Sequence, residues 1–257
     1  MPFVLTDDDC EIYYESNGSG PTIVFASGFM GITDIWQHQV HALSSQFRCV
    51  AFDTRGAGRS DKPMPRVAYG VDRHAEDLGV VLDHLGVDRI VLIGHSMGGN
   101  IACRYYRSNP ERVAGIAFIG SFFAGAQIEA VGNTLGRIKA AVAMKEDRIR
   151  FYCGVGLPQD IAMESTKWPL YALEGNARSF IQFDATSEIK NITCPCLIIH
   201  GDSDIVSPYE PCATALAAGL PDAEIELFER VNHCPMIEAP EKTNHRIIQF
   251  LEQRVTW

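Results

Sequence analysis

Gly94-His95-Ser96-Met97-Gly98 is a G-x-S-x-G string, a serine held two residues from a glycine on either side. A serine hydroxyl becomes a nucleophile only when a sharp turn exposes it and a base takes its proton, so the setting of the string decides what it means. Composition alone would produce roughly 0.1 such strings in a chain of this size. Here it follows Arg89-Ile90-Val91-Leu92-Ile93, whose four aliphatics read as a strand buried on both faces, and precedes a helix that opens at Met97. This is the strand–turn–helix context of a nucleophile elbow, in which side chains at the flanking glycines would strike the neighbouring helix and strand. The helix N-terminus also offers unpaired N–H groups and a dipole to a developing oxyanion.

A base and an orienting acid are then required. Of the eight histidines, His38, His41, His74, His84 and His245 fall on predicted helices, His95 adjoins the serine, and His200 ends a strand. His233 differs, because Arg230-Val231-Asn232-His233-Cys234-Pro235 is a loop between the last strand and the last helix, at the sheet edge expected for Ser96. The loop Gly201-Asp202-Ser203-Asp204 after the preceding strand offers two carboxylates. Asp204, further into the loop, is the expected acid and Asp202 the alternative. The chain order is Ser96, Asp204, His233, each just past a strand.

The elements that would position these groups alternate short β-branched runs with amphipathic stretches, the pattern of an α/β parallel sheet. Strands are expected at Phe3–Thr6, Glu11–Glu15, Thr22–Ala26, Arg48–Phe52, Val113–Ile119, Cys196–His200 and Glu224–Phe228, with helices over Thr33–Ser44, Val71–Leu85, Tyr209–Ala218 and Glu241–Arg254. Between Ser121 and Lys190 the alternation stops, and aromatics and methionines mix with charged helical pieces such as Arg137–Phe151. The division expected is a core domain, 1–120 and 191–257, carrying an inserted helical lid, 121–190.

The 257 residues are 46% apolar and 21% charged, a globular composition. A net charge of −10 without a basic stripe disfavours nucleic acid and anionic membranes as partners, leaving a small-molecule substrate. No apolar run reaches membrane-spanning length and Met1–Asp9 has no signal-peptide pattern, so the reading is cytoplasmic. The eight cysteines read as buried free thiols, Cys49, Cys103, Cys153 and Cys196 lying in apolar stretches. Cys194-Pro195-Cys196 lacks metal-site spacing, and Asp53-Thr54-Arg55-Gly56-Ala57-Gly58-Arg59-Ser60 fits no phosphate-binding pattern; no metal or other cofactor is expected. Nothing in the sequence bears on oligomeric state.

Outside the lid, the chain resembles serine hydrolases of the α/β-hydrolase superfamily. The resemblance implies a mostly parallel eight-stranded sheet flanked by helices, and it makes Asp53–Ser60 the family's D-x-R-G-x-G-x-S loop. By position in Ala26-Ser27-Gly28-Phe29-Met30-Gly31 it implies that the N–H groups of Phe29 and Met97 form the oxyanion hole, with Ser27 where the family usually has a histidine. Asp53-Thr54-Arg55-Gly56 and the compact lid are further similar to 3-oxoadipate enol-lactonases and related small esterases. The expected reaction is acyl transfer from a small, largely apolar ester or lactone to Ser96, followed by hydrolysis. Phe122, Phe123, Tyr152 and Trp168 are the candidates for an apolar pocket roof. C–C bond hydrolases, perhydrolases, lyases and slow-turnover ligand receptors share the constellation. A serine at 96 argues against haloalkane dehalogenases and epoxide hydrolases, which need aspartate there.

Overall fold

A computed structural model describes residues 2–29, 31–64 and 68–257; Met30 of the expected oxyanion loop lies outside them. Eight strands, β1 (Phe3–Leu5), β2 (Glu11–Asn17), β3 (Thr22–Ala26), β4 (Arg48–Phe52), β5 (Ile90–His95), β6 (Val113–Ile119), β7 (Cys196–Gly201) and β8 (Ala223–Phe228), form one sheet in the order β1-β2-β4-β3-β5-β6-β7-β8. β1 and β2 are antiparallel to their neighbours, and β3 to β8 pair in parallel. β3, β5, β6 and β7 are buried along their whole length, as aliphatic strands between two helical layers should be.

On one face, α2 (Val71–His84), α3 (Met97–Ser108) and α9 (Thr214–Gly219) bury Leu78, Ile101 and Leu216. On the other, α1 (Gln37–Leu43) and α11 (Pro240–Gln253), which pack on each other, bury Leu43, Ile247 and Phe250. Two expected helices begin differently. Thr33–Trp36 is a 3-10 turn before α1, and Tyr209–Ala213 is a π turn before α9, with Glu210 in extended conformation ahead of Pro211. A short α10 (Pro235–Glu238) precedes α11. Pairings Ala26↔Gly94, His95↔Ile119, Ile119↔Ile199 and Gly201↔Phe228 bring the carboxyl ends of β3, β5, β6, β7 and β8 to one edge. Loops at that edge are where a parallel sheet places its ligand.

Between β6 and β7 the chain forms α4 (Gly125–Ala130), α5 (Leu135–Ala143), α6 (Lys145–Gly154), α7 (Gln159–Glu164) and α8 (Leu170–Ile181). The single helical piece expected over Arg137–Phe151 is two helices, because Met144 is extended (φ −103°, ψ 148°) and Glu146 and Asp147 suit a fresh helix N-terminus. Buried Arg148 ties these pieces together, donating to the carbonyls of Val142, Ser165 and Trp168 at 2.7, 3.0 and 3.0 Å.

α8 is anchored to the sheet domain by polar contacts. Asn176 donates to the Arg55 carbonyl at 3.2 Å and accepts from His74 Nε2 at 2.7 Å. Arg55 itself is fully buried in a two-pronged ion pair with Asp77 at 2.7 Å and meets Asp8 at 2.8 Å, so the glycine-rich loop is a structural clamp. Burial chiefly, helped by Arg55, pushes the pKa of His74 down to about 4, though Asn176 opposes the shift. The unfolded chain therefore takes up a proton that folded His74 refuses. The contribution is present above about pH 6.5 and is lost as pH falls toward 4, by up to about 1.4 kcal/mol per pH unit. Urea midpoints taken from about pH 7 to about 4.5 should fall more steeply in the wild type than in His74→Gln, and equal slopes would refute this.

All eight cysteines are free; seven are buried or half-buried and Cys153, expected inside, is exposed on α6, where its helix face meets solvent. Among the described residues no helix is long and apolar enough to cross a membrane.

Candidate active site

Ser96 sits between β5 and α3 at φ 52°, ψ −120°, a conformation that non-glycine residues rarely adopt. The turn holds it there by close backbone approach. A Cβ at Gly98 would stand 2.0 Å from the main-chain oxygen of Ala26 on β3, and one at Gly94 2.5 Å from the backbone of Gly98. Ser96 N–H donates to Ile119 O at 2.9 Å, and Ser121 Oγ lies 3.2 Å from the carbonyl oxygens of both Gly94 and Ser96. Met97 opens α3, so its N–H is one of the four without an intrahelical acceptor.

His233 Nδ1 lies 2.8 Å from Asp204 Oδ2. Asp202 is elsewhere: exposed, it accepts from Ser203 Oγ and Arg230 N–H. The Asp204 carboxylate is heavily engaged. Oδ1 accepts the N–H groups of Val206 and Ser207 at 2.8 and 2.9 Å, and Oδ2 also meets Ser207 Oγ at 3.1 Å and His200 Nε2 at 3.3 Å. Burial alone would raise its pKa, but the charges and hydrogen bonds of His233 and His200 outweigh burial and hold it well below the usual carboxylate range. An ionised Asp204 accepts only, so the imidazole proton sits on Nδ1 and leaves Nε2 as the basic nitrogen.

The surroundings of this pair are tightly built. His95 Nε2 donates to the His233 carbonyl at 2.9 Å, its ring 4.8 Å from that of His233. Burial, reinforced by His233, pushes the His95 pKa down to about 3, so it remains a neutral donor. Gly120 has φ +53°, and a Cβ there would stand 2.8 Å from the His233 carbonyl oxygen. His200 donates to the Ser207 carbonyl at 2.5 Å. Neither His200 nor Ser207 stood out in the sequence. The one signal was a polar residue closing an apolar strand, and its use depends on how β7 meets the next loop.

The loop after β3 lacks the family's histidine and is braced otherwise. Trp36 Nε1 donates to Ser27 Oγ at 3.0 Å, and Ser27 Oγ donates to Ile32 O at 3.2 Å. Gly31 N–H closes a turn on Gly28 O at 2.9 Å, with Phe29 inside the turn. Tyr152 Oη on α6 donates to the Phe29 carbonyl at 3.2 Å.

Ser96, His233, His95 and Phe29 line a cavity roofed by residues of the helices between β6 and β7, among them Ile128, Ile138 and Phe180. Of the expected roof residues, Phe122 and Tyr152 line it. Phe123 and Trp168 are corrections: among the described residues they are outside the lining, both buried in apolar packing, and the Trp168 carbonyl serves Arg148. Phe151, Phe180 and Ile138 take their place, and Cys234 also faces the cavity. Burial drives the Cys234 thiol far up from its ordinary range, with Glu238 and Asp204 adding to the effect, so it is a protonated wall.

Residues 21–142 match the family model described as alpha/beta hydrolase fold. A non-heme chloroperoxidase of Streptomyces lividans is 30% identical over 280 residues, spanning 98% of this chain and all of the relative. Among solved structures, an esterase from Exiguobacterium antarcticum is 25% identical with a TM-score of 0.86, covering 98% of this chain and 99% of its own. An N-acyl homoserine lactone degrading enzyme is 27% identical with a TM-score of 0.85, covering 97% and 100%. The chain belongs to the α/β-hydrolase fold family of enzymes.

Proposed function

We propose that this hydrolase cleaves uncharged carboxylic esters or lactones with an apolar acyl group through an acyl-enzyme on Ser96, with residues 121–190 as its lid. The observation that carries the reading is the His233–Asp204 contact of 2.8 Å beside a cavity that His233 shares with the backbone-strained Ser96. Ser96 Oγ attacks the carbonyl carbon while its proton passes to His233 Nε2. The N–H groups of Phe29 and Met97 stabilise the tetrahedral oxyanion. Collapse breaks the C–O bond, and the leaving alkoxide takes the proton from His233. Water, deprotonated by His233, then attacks the acyl carbonyl, and collapse of this second tetrahedral species breaks the bond to Ser96 Oγ, which takes the proton back from His233 as the acid leaves. Asp204 keeps the imidazole in the useful tautomer and stabilises its cation.

The acyl preference rests on the lining. Among the described residues that line the cavity none is Lys, Arg, Asp or Glu. A carboxylate at the far end of the acyl chain, such as a dicarboxylic acid's enol-lactone would carry, finds no cation there, and its desolvation goes uncompensated. Likeness to an N-acyl homoserine lactone degrading enzyme supports keeping lactones beside esters. A screen of p-nitrophenyl butyrate, its hemisuccinate counterpart and short lactones tests this. The neutral compounds should turn over, with kcat/KM for the hemisuccinate lower by about 100-fold or more, equivalent to about 2.7 kcal/mol. Equal rates would overturn the acyl preference, and silence on every ester and lactone would overturn the reaction class in favour of C–C cleavage.

A further inference from the structure

The Tyr152 hydroxyl donates to a main-chain carbonyl, that of Phe29 at 3.2 Å, and this carbonyl belongs to the loop proposed to bind the oxyanion. We propose that Tyr152 is a positioning residue for the oxyanion hole: its phenol, delivered by α6, holds the Phe29 carbonyl, so the peptide that follows the Phe29 N–H keeps its orientation beside the hole only when the helices between β6 and β7 are seated over the cavity. This inference rests on the serine-hydrolase reading above.

Phe29 lies inside the turn closed by Gly31 N–H on Gly28 O. That hydrogen bond grips the carbonyl of the peptide whose N–H is Phe29's own. The next peptide, carrying the Phe29 carbonyl, is the central one of a four-residue turn. Turns of this kind interconvert by rotating that central peptide through a large angle. The Trp36–Ser27–Ile32 brace acts on Ser27 Oγ and the Ile32 carbonyl, whereas the Phe29 carbonyl accepts from Tyr152 Oη, 3.2 Å away. A freed carbonyl dipole could turn toward the site of developing negative charge, where it would repel what the N–H groups attract.

The phenol suits this task. Tyr152 is only 3% exposed, and burial, with Cys234 adding to it, drives its pKa far above the ordinary range, so it is a permanent donor. Its location is imposed from one helical turn away by Arg148, whose guanidinium ties α6 to the carbonyls of Val142, Ser165 and Trp168. The link thus runs from the fold of the helical segment, through α6, to the catalytic loop 123 residues earlier in the chain.

Tyr152→Phe removes the hydroxyl and keeps the ring. With p-nitrophenyl butyrate, kcat should fall about 10- to 100-fold, less than for outright loss of an oxyanion donor, while KM stays within about twofold. Affinity for an alkyl trifluoromethyl ketone, which forms a tetrahedral oxyanion adduct with a serine, should weaken by a similar factor. Affinity for the corresponding methyl ether, which forms none, should hold. Arg148→Met leaves the phenol in place but loosens α6, and should show the same split in milder form even if Tyr152→Phe does not fold. Unchanged kcat and ketone affinity in either folded variant overturns the inference, as does a raised KM with unchanged kcat, which would make Tyr152 a substrate contact. A wild type inert toward esters, or activity that survives Ser96→Ala, takes down the serine-hydrolase reading and this inference with it, whereas an active wild type indifferent to Tyr152→Phe takes down this inference alone.

Discussion

Ser96→Ala is expected to lower kcat toward a neutral p-nitrophenyl ester by about 10⁴- to 10⁶-fold, or about 5.5 to 8 kcal/mol of transition-state stabilisation. The size follows from what disappears. Without Oγ no acyl-enzyme can form, and hydrolysis falls back on water assisted by the remaining N–H donors and by binding. The fold should be indifferent to the change, since alanine and serine meet the same strain at φ 52° and the removed oxygen only borders the cavity. KM, or the affinity of a non-reacting ester analogue, should therefore stay near the wild-type value. A fluorophosphonate probe should label the wild type at Ser96 and leave the variant unlabelled. Residual turnover within tenfold of wild type would reject Ser96 as the nucleophile.

The second large effect separates two carboxylates that stand two residues apart. Asp204→Asn should cost about 10³- to 10⁴-fold in kcat, and Asp202→Asn less than about twofold. An amide at 204 still fits the N–H groups of Val206 and Ser207 through its oxygen, so the loop should hold. What it loses is the negative charge facing His233 Nδ1 and the ability to fix that nitrogen as the protonated one. With the proton on Nε2 instead, the imidazole cannot accept from Ser96. Asp202 is exposed, and among the described residues its carboxylate accepts from Ser203 Oγ and the Arg230 N–H at 2.8 and 2.7 Å. Steady-state kinetics on the two variants side by side decide the matter, and a crippled Asp202→Asn with a healthy Asp204→Asn would reverse the assignment. Because Asp204 is held ionised far below the usual carboxylate range, its protonation should leave no limb in the kcat profile at mildly acidic pH.

The core strands were legible because their signal is local. Runs such as Val91-Leu92-Ile93 and Leu197-Ile198-Ile199 can satisfy neither helix amphipathicity nor an exposed face, which leaves a strand covered on both sides. The same holds for half of the elbow: Gly94 is demanded by the approach of Gly98 within the turn, whereas Gly98 is demanded by Ala26 on the neighbouring β3. The helical segment was less legible. A continuous pattern across Arg137–Phe151 conceals the break at Met144, since no proline or glycine marks it and the extended residue is stabilised by the packing of α5 and α6. Cys153 shows the same limit, as an apolar run of sequence does not say which helix face turns to solvent.

The sequence by itself determined the α/β class, the strand ends at which Ser96, Asp204 and His233 stand, and the order in which they come. Those depend on short-range sterics and on patterning that few folds satisfy. Only the tertiary structure decided that Asp204 rather than Asp202 meets His233, that His200, His95 and Ser207 surround the pair, and that Phe122 and Tyr152 but not Phe123 and Trp168 line the cavity. It also joined the Tyr152 phenol to the Phe29 carbonyl. Such contacts are set by where whole helices and loops come to rest on one another, and that balance is struck between residues far apart in the chain, where no local spacing records it.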